Sequence, residues 1–206
     1  MLYNTLAFIS LIVVILLLRS LVNTFPSLVA CLLRWKECIN LQMSVKLSRE
    51  RDTLAAAMVI PFCLTIYRFR LYSPSFFDNL NENGKIWIII GIFTCFVLLR
   101  KACTTLFKAQ RTPAATYRAA ATAEHTFFII LSLSLLATGG VMSIVDASAG
   151  AIRNTMFWVS GSIYLLFLIR KLQIFNSACS ILLSFLYLCA LEILPLGVLL
   201  TSAVIF

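Results

Sequence analysis

The sequence predicts an all-α fold, a polytopic transmembrane helical bundle of about six spans with an amphipathic helix on its cytoplasmic face. Three observations predict it. Hydrophobic side chains make up 61% of the 206 residues and charged ones 12%, against roughly 45–50% and about 25% in soluble domains. Apolar segments recur near residues 2–18, 54–67, 86–99, 126–145, 156–169 and 178–195. The Lys and Arg residues between them fall almost entirely in alternate loops. The whole chain, 1–206, reads as a single integral membrane domain.

Helices are expected because an unpaired peptide group in hydrocarbon costs several kcal/mol, which only helices and closed barrels avoid. A barrel needs period-two alternation, whereas residues 12–18 and 196–200 are apolar on successive positions. The first segment lacks a basic leader and a small-x-small cleavage site before Arg19, so it reads as a retained helix and not a signal peptide. Segments two, three and five hold only about 14 apolar residues against the roughly 20 needed to cross. Their flanking Arg, Lys and Tyr side chains must snorkel, or the bilayer must thin.

Between segments one and two, Leu28, Leu32, Trp35, Ile39, Met43 and Leu47 recur at steps of three and four beside Arg34, Lys36, Glu37 and Asn40. This predicts an interfacial amphipathic helix over 27–48, facing lipid or a partner protein. Ahead of segment four, Thr112 and Pro113 suit an N-cap and a first helical position. Ala115, Ala119 and Ala123 then align as a small-residue packing face. Gly139 and Gly140, with residues 146–150, are expected to loosen the far end of that segment into a turn.

Charge sets the orientation. One set of loops holds Arg19, Arg34, Lys36, Lys46, Arg49, Arg51, Arg100, Lys101, Lys108, Arg111, Arg118, Arg170 and Lys171. The other holds Arg68, Arg70, Lys85 and Arg153. The positive-inside rule places the first set in the cytoplasm and both termini on the opposite side. The net charge of +9 is therefore read as contact with anionic lipid headgroups, not with nucleic acid, for which no fold signature is present.

The cysteines Cys31, Cys38, Cys63, Cys95, Cys103, Cys179 and Cys189 form no CxxC pair, and none falls in a predicted external loop. They are expected as unpaired apolar packing residues. With His125 as the one imidazole, neither a metal site nor bis-His haem ligation is expected, and no cofactor is predicted. Motifs for a P-loop, a paired-His metal helix, a nucleophile elbow and a dinucleotide loop are lacking, so the chain is not expected to be an enzyme.

Ionisable groups within apolar segments are the usual pointers to function, because each is expensive in lipid unless paired, protonated or hydrated. Glu192 stands inside the last segment near Tyr187 and Pro195, and about 1.5 Å of rise per residue places it roughly 21 Å into the span, in the outer half. Pro195 removes an amide donor and is expected to kink or end the helix beside the carboxyl group. Glu192 reads as a proton-accepting or cation-binding carboxylate, or as a packing residue hydrogen-bonded to a neighbouring helix. Glu124 and His125 form a polar pair at the cytoplasmic boundary that cannot share one helical face, read as a solvated collar or a proton relay.

The ending from Phe185 through Tyr187, Cys189, Leu191, Glu192, Ile193, Leu194, Pro195 to Leu196 resembles the C-terminal signature of a family of Bacteroidota polytopic membrane proteins of unknown function. Phe25-Pro26 after the first span, the run Arg49-Glu50-Arg51 and a central basic loop are similar to that family's layout. The chain departs from it by ending without a basic residue. The resemblance implies a Gram-negative inner membrane and a six-helix body, and no activity. Short external loops, small-residue faces and the amphipathic stretch lead to the expectation of a non-catalytic subunit or scaffold of an inner-membrane envelope complex with other membrane subunits as partners. The alternative is a small-solute or proton-coupled transporter that uses Glu192.

Overall fold

A computed structural model describes residues 2–34, 37–38, 44–72, 74, 77, 80–106, 113–177 and 180–205. The fold is an all-α helical bundle. Among the described residues, four helical stretches are long and apolar enough to cross a membrane: Glu82–Thr105, Ala115–Ile144, Ala149–Asn176 and Ser184–Thr201. They lie in α5 (Glu82–Leu106), in α6 (Ala114–Ile144), in α7 (Ala149–Asn176), and in α8 (Ile181–Leu188) with the π-helical turn Cys189–Ile193 and α9 (Leu194–Ile205). Each runs past the apolar segment that announced it. Hydropathy falls at Arg100, Glu124 and Lys171, yet the backbone stays helical beyond them because Arg, Lys, Glu and Ala are good helix formers.

The first two helices, α1 (Leu2–Leu16) and α2 (Leu18–Leu33), are apolar enough together but are bent 68° at Leu17. The expected interfacial helix over 27–48 is corrected here. Residues 27–33 are the last two turns of α2, and the helix stops at Arg34, whose backbone is extended. Leu28 is not a lipid contact; it is fully buried among Leu54, Ala55 and Ile129. Arg170 terminates the helix, donating from Nε to the Leu32 carbonyl at 3.0 Å and from Nη2 to the Leu33 carbonyl at 2.7 Å. Those carbonyls have no intrahelical partner, and a cation at the negative end of the helix dipole satisfies them. Trp35, Lys36, Ile39 and Met43 lie outside the described residues, as do Thr112 and Cys179.

The cysteine expectation also changes. Cys31 and Cys38 form a disulfide with 4.9 Å between their Cα atoms, within the range a bridge needs. The two stand seven positions apart, a spacing that no CxxC search would pair. Cys63, Cys95, Cys103 and Cys189 are free.

The second apolar segment is divided at Met58 into α3 (Val45–Ala57) and α4 (Val59–Arg68). At ten residues, about 15 Å, α4 is a short inner helix with Phe62, Cys63, Leu64 and Thr65 buried, and Phe62 and Cys63 join a cluster with Ile89 of α5, Leu135 of α6 and Ile152 and Met156 of α7. Phe62 meets Phe93 and Phe128, both at 5.2 Å between ring centroids. In hydrocarbon such contacts act through close packing, since lipid removes the hydrophobic drive between helices.

Gly139 and Gly140 do not loosen α6. The helix continues through both to Ile144, and Gly139 is the site of a close approach. A Cβ there would stand 2.7 Å from Phe69 Cε2 and 2.8 Å from Met156 Cε. The missing side chain leaves a notch that receives Phe69.

Candidate functional site

Each of the four crossing stretches contributes one charged side chain to a single cluster: Arg100 from α5, Glu124 from α6, Lys171 from α7 and Glu192 from the π-helical turn. Glu192 is closed in on both oxygens. Its Oε1 pairs with Lys171 Nζ and its Oε2 with Arg100 Nη2. Glu124 completes the ring, with Oε1 at 3.2 Å from Arg100 Nη1 and Oε2 at 3.9 Å from Lys171 Nζ. Positive and negative groups alternate, so the quartet has zero formal charge. Glu192 and Lys171 are each only 2% exposed, and at that burial an unpartnered charge would cost several kcal/mol.

Local structure explains the aim of each group. Pro195 cannot donate to the helix, and the backbone immediately before it widens so that Leu194 N–H reaches the Cys189 carbonyl, five residues back. This is the widened turn that helices use to absorb a missing bond. Glu192 lies within it, and the Tyr164 hydroxyl donates to the Glu192 carbonyl at 3.2 Å. The Phe167 ring forms the floor, with Arg100 Cζ and Lys171 Nζ each 5.4 Å from its centroid, a distance at which the ring face attracts a cation. Phe127, Ala119 and Ala123 pack beside Phe167.

Glu192 is therefore not in the outer half of its helix. It stands near the middle of the stretch Ser184–Thr201, and its carboxylate meets cations that the sequence placed in basic loops. Those loops are partly helix: α5 extends six residues past Arg100 and α7 five past Lys171. Sequence reasoning missed both because a basic residue at the edge of an apolar run looks like a membrane flank. Two acidic groups inside a bundle require two basic ones, and that requirement was the available signal. Tyr187 faces elsewhere, its ring 5.0 Å from that of Phe175 and 5.8 Å from that of Tyr117.

Glu124 and His125 point to different neighbours. His125 Nδ1–H donates to Asp52 Oδ1 at 2.8 Å, across to α3, and Arg51 donates to the same oxygen from Nη2 at 2.7 Å and from Nε at 3.0 Å. Partial burial pushes the Asp52 carboxyl up. The hydrogen bonds and charges of Arg51 and His125 outweigh that and hold it below its ordinary value. The arrangement is an Arg-Asp-His chain fastening α3 to α6, half-exposed at Asp52 and His125. No group of three metal-ligating side chains occurs among the described residues.

Chemically, the quartet can hold helices in register, and it can exchange a proton only if one carboxylate leaves its cations. Two clefts, of about 330 and 550 Å3, lie at the other end of the bundle, and neither is lined by a member of the quartet. No protein-family model matches the chain, and neither the curated proteins nor the solved structures compared with it provide a match.

Proposed function

We propose that the chain is a non-catalytic subunit or scaffold of a bacterial inner-membrane envelope complex, with the charge quartet as its internal lock. The observation that carries this reading is the double pairing of Glu192, which leaves neither carboxylate oxygen free. A closed, neutral ring with one member from each crossing helix suits a rigid body that presents lipid-facing surfaces to other subunits. Affinity purification from the native membrane in mild detergent, with mass spectrometry of the retained proteins, tests it. Stoichiometric membrane partners are expected, and recovery of the chain alone would contradict the reading.

A proton-coupled carrier is the second reading, favoured by the same ring, because protonation of Glu192 would release two cations at once. Proton-dependent solute flux in liposomes that disappears in Glu192→Gln would establish it in place of the scaffold.

A further inference from the structure

The far end of the bundle gathers the few basic residues excluded from the basic loops. The cleft of about 550 Å3 is lined by Arg68, Arg70 and Arg153, with Ser143 and the first residues of α7, Ala149 and Gly150. No acidic side chain lines it among the described residues. The guanidinium groups of the three arginines make no ion pair among the described residues, in contrast to Arg51, Arg100 and Lys171.

Arg70 occupies a backbone position that ordinarily belongs to glycine. The end of α4 is a Schellman motif: Leu71 N–H donates to the Ile66 carbonyl at 3.0 Å and Arg70 N–H to the Tyr67 carbonyl at 3.2 Å. Arg70, at the left-handed position of that motif, has φ 48°. A non-glycine residue there carries a steric cost that glycine avoids. The fold keeps a guanidinium where a hydrogen would be easier, and seats its neighbour Phe69 in the Gly139 notch. Both features hold Arg68 and Arg70 over the start of α7, whose dipole adds to the positive field of Arg153.

We propose that this cleft binds a phosphate group, carried by an anionic lipid headgroup or by a small soluble phosphate ester. Three guanidinium groups match phosphate geometry through forked, charge-assisted hydrogen bonds. The neighbouring cleft shares Arg68 and Arg70 but not Arg153, and its carboxylate, Glu82, is already engaged by Lys85 at 3.0 Å and by the Tyr67 hydroxyl. The phosphate site rests on the arginine cleft alone and stands whether the protein is a scaffold or a carrier.

The test uses the full chain in nanodiscs of phosphatidylcholine. Binding of glycerol 1-phosphate is measured by calorimetry in one arm, and retention of added phosphatidylglycerol by native mass spectrometry in the other. Phosphatidylglycerol retention without glycerol 1-phosphate binding identifies a headgroup site, and binding of the soluble ester identifies a solute site; either supports the proposal. Arg70→Gly should weaken binding about tenfold while raising thermal stability, because glycine relieves the left-handed strain. That opposite pair of shifts separates lost recognition from lost folding. Gly150→Glu, at a position with open space beside it, should abolish binding with the fold retained. The absence of binding in both arms, or affinities in Arg70→Gly and Gly150→Glu equal to the parent's, would overturn the proposal.

Discussion

The two ends of the bundle use the same side chains in opposite ways. In the quartet, Lys171 is buried, the Arg100 side chain is 14% exposed, and each touches two carboxylates. In the far cleft, Arg68, Arg70 and Arg153 are exposed and form no ion pair among the described residues. Burial decides the difference. Where water and headgroups are out of reach a cation must find its counter-charge within the protein, and where they are near it can wait for a ligand. A charge count assigns both groups to membrane flanks. Only the reach of each side chain separates a lock from a receptor.

The largest effect that breaks this contrast is expected from a single change in the quartet. Glu192→Gln leaves Arg100 and Lys171 sharing Glu124 alone and should cost about 3–5 kcal/mol, measured by unfolding of the purified protein in mixed micelles. Arg153→Gln at the other end should leave stability within about 0.5 kcal/mol. Next comes Gly139→Ala, which drives a methyl group against the Phe69 ring and Met156. It should cost about 1–3 kcal/mol and also weaken anion binding at the cleft that Phe69 positions.

Smaller still, Arg170→Ala removes the cation from the carbonyl end of α2 and should cost about 1 kcal/mol. Its expected signature is faster amide exchange in the last turn of that helix. The smallest effect concerns Asp52, whose carboxyl is held below its ordinary value. Its contribution should be fully present above the unfolded value of about 3.9 and should vanish as pH falls through the lower folded value. Since Asp52 and His125 are half-exposed, less than about 1 kcal/mol is at stake. Asp52→Asn should flatten that acid limb in a stability-against-pH series.

The bundle was largely legible because apolar runs and alternating basic loops are properties of long windows. Glu192 was legible for the opposite reason, as one charge inside an apolar run. Its partners were hidden: Arg100 and Lys171 stand at run edges, and nothing local tells an inward cation from a flank. The bend at Leu17 has no Pro or Gly to mark it. The stripe beginning at Leu28 reads as one helix in sequence, but the helix stops at Arg34, and Leu28 itself is buried against Leu54 and Ile129. Arg70 was invisible as well, since a left-handed residue announces itself in sequence only when it is glycine or asparagine.

A double-mutant cycle between Lys171→Met and Glu192→Gln tests the lock most directly. If the quartet holds the four helices, the double variant should lose less than the sum of the two single losses, with a coupling of about 1–3 kcal/mol. Additive losses would mean that the two charges act independently, and would contradict the account.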